Sequence, residues 1–313
     1  MKPRILVIGD VCTELNVVSG AFPNYMGICE AENYDSVLGG SGIHSALSLA
    51  RLGADSILCS VTGDDANRRE MVSFLSEEGV DVRFLNKVRG ENTAVDIILK
   101  SENDERKISY KGVISRFAQS FIDEAFISYP DGVILHGAKI PPVVIDETVK
   151  QAKKQGTPLI ISGLPDPSGY PISKIGECEI LVVDSSSAYR CTGIRPADQE
   201  KCMKACIALM QRIKAKYIII RLEERGSFIY DGTYYSFVSS YDVDVNENTN
   251  SIHAFTSALV CEYLSNEKNI KHACDFATVV SAAYISAGAA LRSYPRLEDV
   301  KRFAIRNEIE FDS

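Results

Sequence analysis

Apolar residues run along this chain in two rhythms. Short uninterrupted runs at 5–8, 132–135, 158–161, 180–183 and 217–221 lack the alternation of a half-exposed strand, so they predict strands buried on both faces of a parallel sheet. Between them the rhythm becomes helical. In 39–53, GGSGIHSALSLARLG, Ile43, Ala46, Leu47 and Ala50 share one face and Gly53 stands where a helix stops. Further helices are predicted near 67–78, closing on Gly79, and over 142–154 and 199–214, with another strand at 56–60. Strands and helices alternating at this spacing predict a three-layer αβα architecture around a mostly parallel central sheet.

Three stretches depart from that alternation. Residues 16–38 are weakly apolar and broken by Gly20, Pro23, Asn24 and Gly27, while 93–100 and 107–111 flank the polar turn SENDER as a hairpin. Together they predict a small sheet outside the main core. A second hairpin, 227–230 with 234–238, turns at Asp231 and Gly232. It leads into 243–259, VDVNENTNSIHAFTSAL, which reads as a strand, a polar turn and a helix entered at about Ser251. Such a corner aims backbone N–H groups, and here the side chain of His253, at whatever sits above the turn. The piece 254–264 is apolar nearly all round and belongs inside, and the chain stays largely helical to 303. The expected organisation is one α/β domain over 1–313, with lid strands from about 16–38 and 93–111.

Composition narrows the class. The 313 residues are 45% hydrophobic and 24% charged, which suits a large core with a hydrated surface. A net charge of −8 without a basic block argues against nucleic acid or an anionic membrane as partner and favours a small molecule. Nine scattered cysteines without CxxC spacing predict neither a disulfide framework nor a zinc cluster. Cys202 and Cys206, one helical turn apart, read as packing residues. With no signal-like segment and no run of membrane-spanning length, a reducing cytoplasm is expected.

The order IGDVCTEL, GGSGIHSALSLARLG, VTGDD, EEGVDV, ENTAVDIIL and the 243–259 corner resembles the ribokinase-like, phosphofructokinase-B type carbohydrate kinases over nearly the whole chain. That resemblance implies transfer of the γ-phosphate of ATP, with Mg2+, to a hydroxyl of a small sugar or nucleoside-like acceptor. It assigns Glu14, Gly39, Gly40 and His44 to the acceptor, a carboxylate being suited to two adjacent hydroxyls. It assigns Asp184, Arg221, Glu223 and Gly226 to the nucleotide side. It puts Glu247 at the opening acidic position of the corner, Asn250, Ser251 and Ile252 at the anion hole, and His253 at the catalytic base. Such lids often pair between subunits in the family, which implies a homodimer.

The lettering departs from the family at these positions. Its usual Asn is His44, its Asn and Glu around magnesium give way to Asp184-Ser185-Ser186-Ser187, its Thr and Gly before the adenosine pocket are Arg221 and Glu223, its Gly-Ala-Gly hole is Asn250-Ser251-Ile252, and its Asp is His253. Arg221 and Glu223 are long enough to pair with each other and fill part of the pocket. A left-handed backbone suits Asn250 but not β-branched Ile252. A general base contributes about 10²- to 10⁴-fold and an oxyanion donor about 10²- to 10³-fold, so the corner decides between two functions. One is a carbohydrate kinase using His253; the other is a degenerate kinase fold that binds a small molecule or a regulatory partner. No metal site is assigned, although Glu14, His44 and His253 would form a metal-capable set if they shared a cavity. A nicotinamide-dependent oxidoreductase lacks its GxGxxG after the first strand.

Overall fold

A computed structural model describes residues 2–24, 26–102, 104–165, 167–243 and 250–309. Glu247, the opening acidic position of the corner, lies outside them. In chain order the elements are β1 (Arg4–Ile8), β2 (Cys12–Val18), β3 (Asn33–Gly39), α1 (Ser41–Arg51), β4 (Asp55–Thr62), α2 (Ala66–Glu77), β5 (Leu85–Lys87), β6 (Ala94–Ser101) and β7 (Asp104–Tyr110). The chain continues through α3 (Gln119–Ala125), β8 (Gly132–Leu135), α4 (Pro142–Gln155), β9 (Leu159–Ser162), β10 (Glu177–Asp184), α5 (Ser185–Thr192), α6 (Gln199–Met210) and β11 (Lys214–Arg221). It ends with β12 (Gly226–Tyr230), β13 (Tyr235–Ser239), α7 (Ser251–Ser265), α8 (Ile270–Ser286) and α9 (Leu297–Arg306).

Nine strands form the main sheet in the order β13-β12-β11-β10-β9-β8-β1-β4-β5. The ladders from β11 to β5 are parallel, and β12 and β13 add an antiparallel edge. Two apolar clusters cover the two faces. One gathers α1, α2, α7 and α8 around residues such as Val7, Ile134 and Ile219; the other gathers α3, α4 and α6 around their neighbours Leu6, Val133 and Ile218. Consecutive strand residues thus serve opposite layers, which is why these runs are apolar without alternation.

The second sheet, β3-β2-β6-β7, is separate. Its register sorts side chains sharply. Cys12, Glu14, Asp96, Lys107 and Ser109 share one face, whereas Leu15, Val17, Tyr34, Ile97, Leu99, Ile108 and Tyr110 share the other. The polar face adjoins the strand ends of the main sheet, where Lys139 binds Asp96. On the apolar face Tyr34, Ile108 and Tyr110 remain exposed.

Several boundaries differ from expectation. The small sheet begins at Cys12 rather than near residue 16, because β2 continues almost directly from β1. The helix predicted over 199–214 stops at Met210, since Lys214 already pairs with Glu177 in β11. Strand β5 and helix α3, too short for periodicity to reveal, were not predicted. No described helix is long and apolar enough to cross a membrane.

Gly226 opens β12 with φ of 113°, and a Cβ there would collide with the Val238 carbonyl oxygen. Gly226→Ala is therefore expected to cost about 2–4 kcal/mol in urea unfolding, combining backbone strain with that collision.

Candidate active site

The C-terminal ends of the parallel strands converge on one region, where such sheets leave room for ligands. At the end of β1, Asp10 ties the first turn of α1: its backbone oxygen accepts from Gly42 N at 2.9 Å, and its carboxylate accepts from Ser41 N at 3.3 Å and from the Ser41 hydroxyl. This approach needs the glycines. A Cβ on Gly40, whose φ is 94°, would fall 2.6 Å from Asp10 O, and one on Gly39 would fall 2.5 Å from Glu14 Cδ. The diglycine thus makes room for the protein's own backbone and for the Glu14 side chain.

One helical turn into α1 stand His44 and Ser45. Ser45 Oγ lies 2.8 Å from His136 Nε2, and His136 Nδ1 lies 3.0 Å from the Ser162 carbonyl oxygen. The carbonyl can only accept, so Nδ1 carries the proton and Ser45 donates to Nε2. His253, the third residue of α7, completes a cluster: its ring stacks on His44 at 5.6 Å and meets His136 edge-on at 5.1 Å. Tyr294 closes the back, its hydroxyl 3.1 Å from His44 Nδ1. Burial, with the neighbouring His136, holds His44 down at about 4 against the pull of Asp10. Burial likewise holds His136 at about 4, opposed by Asp10 and the Ser162 carbonyl. His253 is pushed well below the ordinary imidazole range by burial, then by His136, His44 and Lys139. All three rings are therefore neutral at pH 7.

Two nitrogens of the cluster, His44 Nε2 and His253 Nδ1, are sealed from solvent without a partner. His253 Nε2 is not among the sealed atoms and has no partner among the described residues, so it is the ring nitrogen open to a ligand there. Below it the corner keeps its backbone form. Asn250 is left-handed with φ of 68°, as its lettering allows, while Ser251 and Ile252 have entered the helix. His253 N bonds Asn250 O at 3.0 Å, which leaves the N–H groups of Ser251 and Ile252 without an acceptor among the described residues.

Facing the imidazoles, the polar side of the small sheet carries a charged network. Lys139 Nζ lies 2.9 Å from Asp96 Oδ2 and 3.5 Å from Asp10 Oδ2, and Lys107 Nζ also lies 2.9 Å from Asp96. Burial resists ionisation of Asp96, but bonds from Ser109, Lys107 and Lys139 outweigh it and bring the carboxyl down to about 2. Glu14 has no bonding partner among the described residues, and burial raises its carboxyl above the ordinary range despite Lys107. Ligand atoms of Cys12, Glu14 and Asp96 lie within 4.8 Å of one another. They suit a metal poorly, because burial pushes the Cys12 thiol far up and both lysines already occupy Asp96. Glu14, His44 and His253 do not bring their ligand atoms together among the described residues, so they do not make a ligand set of the kind their types allow.

The nucleotide side is built differently from the expectation. Asp184 caps α5, its Oδ1 accepting from Ser187 N at 2.6 Å and Ser186 Oγ at 3.0 Å. With one carboxylate oxygen already used and serines beyond it, these residues do not form a dedicated magnesium cage. Arg221 and Glu223 do not pair. The Arg221 guanidinium is buried over the Phe255 ring at 4.3 Å, whereas Glu223 is exposed at φ of 56°. Beside them is a cavity of about 400 Å³ lined by Arg221, Glu223, Glu224, Asp242, Thr278 and Ser281, among others.

With the geometry in place, likeness to known proteins is informative. Residues 2–296 match the profile of the pfkB family carbohydrate kinases. The chain belongs to that family. It is 23% identical over 308 residues to a ribokinase of Haemophilus influenzae, covering 97% of this chain and 99% of that one. Its fold superposes on Arabidopsis thaliana ribokinase complexed with ribose and ATP at a TM-score of 0.85, with 20% identity over 97% of this chain and 99% of the other. A ribokinase of Cryptococcus neoformans in complex with ADP gives 0.83, with 18% identity over 96% and 99%. The sheet order and the separate small sheet are accordingly ribokinase-like.

Of the residues singled out from sequence, Glu14 meets Gly39 beside Gly40, His44 stacks on His253, and Asn250, Ser251 and Ile252 form the corner at the start of α7. Asp10, Asp96, His136, Lys139 and Tyr294 were missed. His136 directly follows the buried strand β8 and Asp10 follows β1 after one intervening residue, positions that alone mark candidates. Asp96 within a strand and Tyr294 after α8 carry no local signal.

The imidazole cluster sets a pH response. Unfolded imidazoles titrate near 6.5, while His44 and His136 titrate at about 4 in the fold, so between those values the unfolded chain binds more protons. Stability to urea is expected to fall as pH drops from 6.5 towards 4. His136→Gln, measured over the same range, should flatten that slope.

Proposed function

We propose that this protein transfers the γ-phosphate of ATP to a hydroxyl of a small carbohydrate-like or nucleoside-like acceptor. The observation that carries the reading is the corner at α7, where left-handed Asn250 and the N–H groups of Ser251 and Ile252, without an acceptor among the described residues, keep an anion-binding helix terminus without glycine. Phosphoryl transfer relies mainly on positioning and on stabilising charge on the equatorial oxygens, which these groups can do. The unpaired Glu14 accepts from acceptor hydroxyls, and the Lys139–Asp96 network orients the remainder. His253 Nε2 takes the hydroxyl proton. Its neutrality makes it available, but its depressed basicity and the absence of an acceptor for Nδ1 leave the resulting imidazolium unsupported. The rate would be below that of a carboxylate-based corner. No step is routed through magnesium, for which the residues at Asp184 offer no cage.

A second reading, a ligand-binding protein with a lapsed donor site, is favoured by the three carboxylates of Glu223, Glu224 and Asp242 around the nucleotide-side cavity, which repel a polyphosphate. The two readings separate in one experiment. Under the first, a screen of sugars and nucleosides with ATP and Mg2+ gives product, and His253→Ala lowers kcat by about 10²- to 10⁴-fold. Product formation unchanged in that variant would remove His253 as base. No product, with thermal stabilisation by a sugar but none by ATP and Mg2+, would establish the second reading.

The small sheet acts in this proposal as a lid that excludes water from the acceptor. Its other face, with Tyr34, Ile108 and Tyr110 at 61%, 57% and 51% exposure, suits pairing with a second copy of the chain. Light scattering at micromolar concentration is expected to give twice the 34.4 kDa chain mass. Ile108→Glu should return the mass to that of a monomer.

A further inference from the structure

Tyr294 is held from two sides by one helix. Arg51, the last residue of α1, fixes its backbone: Arg51 Nη1 donates to the carbonyl oxygens of Arg292 and Tyr294, each at 2.8 Å, while Nε and Nη2 bind the two carboxylate oxygens of Glu78. Near the start of the same helix, His44 meets the Tyr294 hydroxyl. The ring between these points is buried and stacks on Tyr284 of α8, with centroids 4.4 Å apart.

The hydrogen bonds around that hydroxyl run in one direction. Tyr284 Oη lies 2.5 Å from the Ala289 carbonyl oxygen, which can only accept, so Tyr284 donates there. The Tyr284 oxygen is left as an acceptor, and the Tyr294 hydroxyl bonds to it. A second acceptor, the Asn250 carbonyl oxygen, stands 3.4 Å from Tyr294 Oη. A hydroxyl has one proton. Given to Tyr284 or to Asn250, it leaves the Tyr294 oxygen to accept from His44 Nδ1 at 3.1 Å. The opposite arrangement, with Tyr294 donating to Nδ1, would place the proton of the neutral ring on His44 Nε2, which is sealed without an acceptor. A buried N–H without an acceptor is rarer than an unfilled acceptor. Both considerations put the proton on Nδ1.

We infer that Tyr294, backed by Tyr284, is a positioning residue that fixes His44 as its Nδ1–H tautomer and leaves Nε2 as a lone pair. What this does for the reaction rests on the phosphoryl-transfer reading. His253, whose ring stacks on His44 at 5.6 Å, gains a positive charge when its Nε2 takes the hydroxyl proton. A neighbour with a lone pair at its sealed nitrogen opposes that charge less than one with a proton there. The same hydroxyl touches the Asn250 carbonyl, so the tautomer and the corner are held from one point.

The tautomer is read without turnover, so this inference and the kinase reading fail separately. The full chain, its four histidines labelled with nitrogen-15, is measured by NMR at neutral pH, and His44→Gln identifies the His44 signals. The expected spectrum shows a protonated Nδ1 and a lone-pair Nε2 at His44. Tyr294→Phe removes only the hydroxyl; it should move the proton to Nε2 or average the two nitrogens, and lower kcat about tenfold with a smaller change in KM. Tyr284→Phe keeps the Tyr294 hydroxyl but removes the oxygen it donates to, and should shift the same signals part-way. A wild-type His44 protonated at Nε2 overturns the inference, as does a Tyr294→Phe chain whose His44 signals match the wild type. A changed tautomer with kcat unaltered overturns the positioning role. The expected tautomer in a wild-type chain that forms no product removes the kinase reading and leaves the assignment of His44 standing. If Tyr294→Phe fails to fold, the wild-type and Tyr284→Phe spectra decide, and His44 signals unchanged in Tyr284→Phe overturn the inference.

Discussion

The site depends on one close approach, that of the first turn of α1 to the end of β1. Asp10 bonds Gly42 and Ser41, and Gly39 and Gly40 leave the space this requires. Once α1 is fixed there, Ser45 meets His136 at the end of β8, and the Ser45 carbonyl accepts from Ser257 of α7 at 3.2 Å. Three elements distant in sequence are thereby tied to one turn. His44 and His253 stack because their helices are held together at this point, and the α7 terminus inherits its position from the same contacts.

This scaffold separates charge in an unusual way. Around α1 and α7 the imidazoles stay neutral, while Asp96 pairs with Lys107 and Lys139 on the polar face of the small sheet. On the nucleotide side a cation is buried and carboxylates stand around it. Moving any of these groups would be expensive, since a buried charge is tolerated only with compensation. The family frame is therefore retained while the groups that carry its chemistry differ in charge and in proton affinity. That is why membership of the pfkB kinases defines the family and the fold but leaves the chemistry of this corner to its own residues.

Much of the frame was legible in the sequence because burial on both faces forces continuous apolar strands, as at 5–8 and 132–135, and helices advertise themselves by period. The lid's alternation was legible only partly: its weakly apolar strands follow from a register that puts Leu15 and Ile97 on one face and Glu14 and Asp96 on the other. The candidate site was legible where a residue sits in a motif, as with Glu14, His44 and His253. It was not legible where long-range pairing creates the role. Nothing local to Tyr294 announces His44 as its partner 250 residues away, and Asp184-Ser185-Ser186-Ser187, considered for its magnesium chemistry, proved to be a helix cap. The supposed Arg221–Glu223 pair failed for a similar reason: a positive φ at Glu223 turns the chain, and the two side chains part.

Two of the unmet buried polar atoms belong to the imidazole cluster. His44 Nε2 and His253 Nδ1 each lack a partner among the described residues, and an unmet buried polar group costs about 1–3 kcal/mol. Apolar replacements of similar shape would relieve that cost, so packing alone does not account for these residues. Both imidazole nitrogens are sealed from solvent, so a ligand in the cleft meets them only if the rings reorient, and the empty fold carries their cost.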